Sequence, residues 1–209
     1  TTSNIGGNFT ATAGTLTNTG VIIFDGPGTI NANGKNLGNI QIATDRSLTA
    51  ALICDDLNIN NSTLTTSNNS LTVNGSISQT GSGNLTCGSQ PISVTGDVDL
   101  TTLTGGSGAI DVNGNATITT FTEGAGNTNI GGAFSVTTFV NNTGTITFDG
   151  TNGSIITATN QNLGNIVFDA DKTIGANFTA NNLTINSGTL TDGGRTITTE
   201  GNWNNIGGT

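Results

Sequence analysis

The chain alternates apolar and polar residues in many short stretches, and turn-forming residues separate these stretches. The clearest example covers residues 183–203, where Leu183-x-Ile185, Leu190, Ile197 and Trp203 are broken by Ser-Gly, Asp-Gly-Gly and Glu-Gly-Asn. The same spacing recurs in residues 57–77, at Leu57, Ile59, Leu64, Leu71 and Ile77. Because a period of two belongs to β-strands, its recurrence about every 20 residues predicts the coils of a β-solenoid.

Three later strand patterns are each followed directly by a dipeptide that ends in glycine. The patterns are Leu71-x-Val73, Ile92-x-Val94 and Ile110-x-Val112, and the dipeptides are Asn74-Gly75, Thr95-Gly96 and Asn113-Gly114. Glycine and asparagine accept a positive φ more readily than other residues do. We therefore expect sharp corners of positive φ between consecutive strands of one coil.

A longer repeat overlies the coils. Residues 4–79 recur as residues 129–204: NIGGNF matches NIGGAF, NTGVIIFDG matches NTGTITFDG, and NLGNI occurs in both, while residues 80–128 form intervening coils. The opening motif returns a third time at residues 205–208. This predicts a segment of a longer array, or a subunit that continues end to end through Asn4, Ile5, Gly6 and Gly7 at one end and Trp203, Asn205, Ile206 and Gly207 at the other.

These patterns predict one all-β domain over residues 1–209. The expected fold is a single-stranded parallel β-helix (β-solenoid) with about 18–25 residues per coil and about ten coils. A lone coil cannot bury its apolar face, so each coil has to stack on its neighbours.

The composition excludes several classes of partner. The chain has a net charge of -9 and only four basic residues, which are scattered: Lys35, Arg46, Lys172 and Arg195. Nucleic acids and anionic membrane surfaces require clustered Lys and Arg, and a membrane span requires an apolar run that this chain lacks. The chain contains no basic-then-apolar signal peptide and begins at Thr1 without Met, so we interpret it as a mature or excised piece whose targeting segment is missing.

Three pairs of residues, one of cysteines and two of opposite charge, are candidates for specific contacts. Cys54 and Cys87 are either buried thiols or a disulfide between neighbouring coils. Asp45 with Arg46, and Asp171 with Lys172 in the second copy, are predicted to be solvated ion pairs at corners.

The acidic residues are the candidates for catalysis and metal binding. Asp97 and Asp99 alternate on one strand face, as do Asp169 and Asp171, and Asp55 adjoins Asp56, but no histidine is present to complete a Ser-His-Asp or Cys-His arrangement. Residues 105–111, GGSGAID, are close to a calcium-binding nonapeptide but place their aspartate one residue late. We predict no catalytic residues, no metal site and no cofactor, apart from adventitious calcium at Asp97, Asp99 or Asp111.

Threonine pairs of the form Thr-x-Thr recur along the chain. On a flat face in regular register they could order water and bind ice, whereas irregular spacing is typical of ordinary exposed strands. The pairs are Thr15/Thr17, Thr63/Thr65, Thr117/Thr119, Thr145/Thr147, Thr189/Thr191 and Thr196/Thr198.

The repeat style resembles a known group of proteins. The pattern [Leu/Ile]-Thr-[Ile/Val]-Asn-x-Gly-x-Leu-Thr-x-x-Gly, with Gly-Asn-[Trp/Phe/Ile] corners, is similar to the passenger regions of bacterial surface proteins, namely autotransporters and filamentous-haemagglutinin-like adhesins. The resemblance implies a right-handed parallel β-helix, export, and adhesion or an extracellular fibre. It carries over no catalytic residue.

The resulting expectation is a non-catalytic, extracellular repeat module of a bacterial surface fibre that assembles by coil stacking. Its expected partners are other copies of itself or flanking repeats, with surface glycans as further candidates. Two alternatives stay open: a β-helix that binds or cleaves carbohydrate, and a solenoid that binds ice.

Overall fold

The structure is a computed structural model that describes residues 2–12, 18–150 and 153–209. These residues form 25 β-strands, and they include no helix able to span a membrane. The strands are β1 (Thr2–Ile5), β2 (Phe9–Thr10), β3 (Val21–Phe24), β4 (Gly28–Asn31), β5 (Asn39–Ile42), β6 (Arg46–Leu48), β7 (Leu52–Cys54), β8 (Leu57–Thr65), β9 (Leu71–Val73), β10 (Ile77–Thr86), β11 (Ile92–Val94), β12 (Val98–Thr104), β13 (Ile110–Val112), β14 (Ala116–Thr122), β15 (Thr128–Ile130), β16 (Phe134–Val140), β17 (Thr145–Phe148), β18 (Ser154–Thr157), β19 (Asn165–Phe168), β20 (Lys172–Ile174), β21 (Phe178–Ala180), β22 (Asn182–Ile185), β23 (Leu190–Thr191), β24 (Ile197–Thr199) and β25 (Trp203–Asn205).

The strand pairs in the described residues are all parallel, and each pair joins one coil to the next. The register is visible in pairs such as Leu71 with Ile92 and Ile92 with Ile110. The fold is an all-β parallel solenoid of about 11 turns with about 18 residues per coil. The predicted fold class is therefore confirmed, with coils at the short end of the predicted range.

The strands form three faces, and most coils contribute to all three. The first face holds β1, β3, β5, the first halves of β8, β10, β12, β14 and β16, and then β18, β20 and β23. The second face holds β2, β4, β6, the second halves of the same five long strands, and β21 with β24. The third face runs from β7 through β9, β11, β13, β15, β17, β19 and β22 to β25. We number the coils 1–11 by their first-face strands.

The core follows from the period of two. In short strands such as β9, β11 and β13 the outer two residues are buried and the middle residue is partly exposed. Aromatic side chains stack along the interior in the second half of the chain, where the Phe148 and Phe168 rings lie 5.4 Å apart and nearly parallel. The parallel ladders and this continuous apolar column together hold the coils in register.

The glycine corners differ from the prediction. Gly75, Gly96 and Gly114 do not have a positive φ. They are glycines because the preceding coil lies too close: an added Cβ would lie 2.1 Å from Asp56 Oδ1 at Gly75 and 2.5 Å from Asp97 Oδ1 at Gly114. Positive φ occurs instead at other corners, including Gly38 and Gly164 of the two NLGNI motifs.

The two copies of the long repeat occupy different faces. In the first copy VIIF forms β3 on the first face, whereas the matching TITF forms β17 on the third face. The second copy is therefore turned by one face about the solenoid axis relative to the first. The repeated sequence specifies the local coil and not a fixed side of the rod.

Candidate functional site

The last coil presents an open edge on each face. Strands β23, β24 and β25 each pair with one strand only, in the preceding coil. Apart from the Leu190 N–H, which donates to Thr209 O at 2.9 Å, the described residues place no backbone partner on their other edges, which can accept a further parallel strand.

The interior of this coil is also uncovered. Ile185, Leu190, Ile197 and Trp203 line an open cavity of about 290 Å³ together with polar residues. Trp203 is 51% exposed and Ile206 is 73% exposed, the largest exposures among the big apolar side chains that the structure describes, with Ile155 equal to Trp203. Asn205 and Gly207 are exposed as well. In the preceding coil the residues that pair with Leu190, Ile197 and Trp203, namely Lys172, Phe178 and Leu183, are buried.

At the other end of the rod, three of the four residues predicted for assembly already make hydrogen bonds within the chain. Asn4 donates its side-chain amide to Asp25 Oδ2 at 2.7 Å. Ile5 and Gly7 use their carbonyl groups as acceptors for Arg46. Gly6 is exposed. The structure places this set and the Trp203 set at opposite ends of the rod, so they do not form one site within a chain.

The prediction of a solvated ion pair at Arg46 is wrong. The side chain is 2% exposed, and it donates to Gly7 O at 2.5 Å and Ile5 O at 2.7 Å, two coils earlier. Its guanidinium lies 5.2 Å from the centre of the Phe24 ring. Burial lowers the pKa of Arg46, and the Asp25 charge partly opposes this. Arg46 faces inward because it starts β6, two residues before buried Leu48.

Lys172 in the second copy is likewise buried and not solvated. It is 1% exposed and donates to Gly131 O at 3.0 Å and to Ser154 Oγ at 2.7 Å. Burial lowers the pKa of Lys172, and the Asp149 charge partly opposes this. Both cations thus bind an Ile-Gly-Gly corner that lies two coils earlier.

The aspartates beside these cations have a different role. Asp45 Oδ1 accepts a hydrogen bond from the Thr63 N–H at 2.8 Å, and Asp171 Oδ1 accepts one from the Thr189 N–H at 2.7 Å. Both donors belong to the following coil. Asp45 and Asp171 therefore join consecutive corners, which replaces the ion-pair interpretation.

The two cysteines are separate. Cys54 lies at the end of β7 on the third face, and Cys87 follows β10. Both are buried free thiols, and burial raises the pKa of each to about 12. A thiol with so high a pKa is a poor nucleophile.

The candidate acids are spread over corners and strands. Asp97 Oδ1 accepts from the Asn115 N–H at 2.7 Å, while Asp99 Oδ1 accepts from Gln79 Nε2 at 3.2 Å. Hydrogen bonds from Asn36 and Asn74 lower the pKa of Asp55, and burial together with the Asp149 charge raises that of Asp111. Within the described ranges no three His, Cys, Asp or Glu side chains come together as a metal cluster.

The predicted threonine pairs fall on different faces. Thr117/Thr119 begin on the first face, Thr145/Thr147 lie on the third and Thr196/Thr198 on the second, while Thr15/Thr17 lie outside the described residues. The strand register shows a more regular threonine array on the second face, which the Thr-x-Thr pattern did not reveal. One column is Thr65, Thr86, Thr104 and Thr122, and the neighbouring column is Thr63, Asn84, Thr102, Thr120 and Thr138.

A further inward residue was missed from the sequence. Glu123 is 1% exposed, and burial raises its pKa. The signal was present, since Glu123 lies two residues after buried Phe121 and so shares its inward direction.

The chain matches no protein-family model, no curated protein and no solved structure.

Proposed function

We propose that the chain is a non-catalytic structural and adhesive repeat module of an exported bacterial surface fibre. In this proposal the module extends by stacking a further coil on its open end. That coil belongs either to the next part of the same chain or to another copy.

The observation that carries the proposal is the last coil. Its three strands pair on one edge only, apart from the Leu190 N–H that is bonded to Thr209 O, and its residues Leu190, Ile197 and Trp203 are apolar, like the inward residues that neighbouring coils cover elsewhere. A further coil would satisfy the edges and bury the apolar residues by the contacts that already join the other coils. The bacterial surface and the adhesive role rest on the resemblance of the repeat style.

The test compares lysines at the open end with lysines on the sides. Ile206→Lys and Trp203→Lys alter the open end, whereas Val140→Lys and Ile155→Lys replace side residues that are 48% and 51% exposed. About 11 turns at roughly 4.8 Å each give a single rod about 50 Å long.

In negative-stain electron microscopy and sedimentation velocity, we expect the wild type and the side variants to form rods longer than 50 Å as concentration rises. We expect the end variants to remain single. Single wild-type rods at every concentration, or equal shortening by both kinds of variant, would contradict assembly through the open end.

The threonine array on the second face supports a second candidate function, ice binding. Residues i and i+2 of a strand lie about 6.7 Å apart and stacked strands about 4.8 Å apart, so the two columns form a regular grid of hydroxyl and methyl groups. Most of these threonines are partly exposed.

Thermal hysteresis measures this second function directly. Thr122→Lys changes the grid, and Thr117→Lys is the matched control at an exposed position on the first face. Ice binding requires hysteresis in the wild type and in Thr117→Lys, with a loss in Thr122→Lys. The absence of hysteresis in the wild type would refute it.

A further inference from the structure

Glu123 occupies a column of inward corner positions. Thr66, Cys87, Gly105 and Glu123 follow second-face strands of consecutive coils, and each donates its N–H to a carbonyl of the next coil. The other three members are small or neutral. Glu123 alone brings a carboxylate into the interior at this corner.

Only one oxygen of this carboxylate has a partner. Oε2 accepts from the Asn142 N–H at 2.8 Å. Oε1 is buried and has no hydrogen-bond partner. A buried carboxylate oxygen without a partner carries a free-energy cost, and a bound cation would remove this cost.

The backbone ladder is interrupted at the same place. Gly88 O accepts from the Gly108 N–H at 3.1 Å, and Gly106 O accepts from the Gly126 N–H at 3.2 Å. Gly124 O, one coil further on, accepts no hydrogen bond from the described residues, and neither does Gly126 O. Two carbonyl oxygens are therefore available beside the free carboxylate oxygen.

These three oxygens converge beside Gly144. A methyl group added at Gly144 would lie 2.7 Å from Gly126 O, 2.9 Å from Gly124 O and 3.1 Å from Glu123 Oε1. Only a residue without a side chain fits at Gly144, and one carboxylate oxygen and two carbonyl oxygens surround that position.

We propose that Glu123 Oε1, Gly124 O and Gly126 O bind a calcium ion beside Gly144. Calcium takes carboxylate and backbone carbonyl oxygens in flexible geometry and completes its shell with water. The ion would neutralise the buried carboxylate and fix the corner of coil 7 that faces Gly144 of coil 8. The site is independent of end-to-end stacking.

Calcium titration of the EDTA-treated, dialysed 209-residue chain by calorimetry tests the site. Glu123→Gln removes the charge. Gly144→Ala places a methyl group among the three oxygens and leaves the Glu123 side chain unchanged. Glu200→Gln is the matched control, because Glu200 is exposed and is the only other glutamate. We expect one calcium site in the wild type and Glu200→Gln, and its loss in the other two variants.

Thermal unfolding gives a second measurement that does not require the variants to bind anything. In EDTA we expect Glu123→Gln to melt above the wild type, because it removes an unpaired buried charge. With calcium at ten times its Kd, the wild-type Tm should rise by about 3 °C, and that of Glu123→Gln should not change.

Three results would overturn the proposal. Equal calcium binding by all four proteins would indicate surface carboxylates only. No binding by the wild type at pH 7 would indicate a neutral Glu123 that donates its own proton to a carbonyl. An equal rise in Tm with magnesium or sodium chloride at the same ionic strength would indicate a general salt effect.

Discussion

Arg46 and Lys172 occupy corresponding places in the two copies of the long repeat, yet they lie on different faces. Arg46 starts β6 on the second face and Lys172 starts β20 on the first. Each still reaches the Ile-Gly-Gly corner two coils earlier. The contact is therefore specified by the repeated sequence and does not depend on which face of the solenoid it occupies.

The two cations meet the same need with different chemistry. Arg46 divides its donors between two carbonyls, Ile5 O and Gly7 O, and covers the Phe24 ring. Lys172 is a compact charge whose partners include one carbonyl and the hydroxyl of Ser154. A planar fork suits two separated acceptors, whereas an ammonium suits a smaller group of oxygens. The comparison indicates that the repeat requires a buried cation and tolerates either kind.

The largest expected effect comes from removing each cation. Arg46→Met should lower the free energy of unfolding by about 3 kcal/mol and Lys172→Met by about 2 kcal/mol, because buried carbonyls lose charged donors. The arginine effect is larger because its ring contact is also lost. Urea denaturation measures both, with exposed Arg195→Met as a control expected to stay within about 0.5 kcal/mol. Three similar values would show that the buried cations do not hold the corners.

A smaller effect should follow from exchanging the type of cation. Arg46→Lys keeps the charge but cannot reach both carbonyls as a fork does, so we expect a loss of about 1.5 kcal/mol. The measurement is again urea denaturation. A loss as large as that of Arg46→Met would mean that the geometry of the fork, and not the charge, holds the first copy.

The smallest effect distinguishes the copies by pH. Burial lowers the pKa of Lys172 in the folded chain. The ordinary lysine pKa of about 10.5 applies to the unfolded chain, so the folded chain loses this proton at a lower pH. This contribution makes stability rise with pH between the folded pKa and about 10.5. Arg46 remains charged throughout that range, so only the second copy responds.

The cysteines act in the opposite direction, because their folded pKa is raised to about 12 and stability falls as unfolded thiols ionise. Subtracting the pH profile of Lys172→Met from that of the wild type cancels the thiols. A difference that does not rise toward alkaline pH would contradict the assignment to Lys172.

The sequence predicted the strands well because the period of two is a local property. Leu71-x-Val73, Ile92-x-Val94 and Ile110-x-Val112 became β9, β11 and β13 without a shift. Their glycine corners were located correctly and explained wrongly, because the close approach of the preceding coil is a contact between residues about 20 positions apart. Local preferences of Gly and Asn carry no information on such a contact.

Arg46 and Lys172 were misplaced, and Glu123 was missed, because a local signal was given too little weight. Arg46, Lys172 and Glu123 each keep the period of two with buried Leu48, Ile174 and Phe121. The general tendency of charges to be exposed was given more weight than this alternation. In a solenoid the register should take precedence, because a whole strand would have to slip to turn one charged residue outward. The turn of the second copy by one face could not be predicted, since it depends on the summed lengths of all intervening coils.

The Arg46 contact has a mechanical consequence. When a parallel solenoid is pulled from one terminus, its coils separate one after another, because each coil is joined mainly to its neighbours. The Arg46 guanidinium in coil 3 is hydrogen-bonded to coil 1 across coil 2. Coil 1 therefore cannot separate until these hydrogen bonds to coil 3 break. Under tension this end should release several layers in one larger step, and the force needed to start the tear should exceed the force needed to continue it.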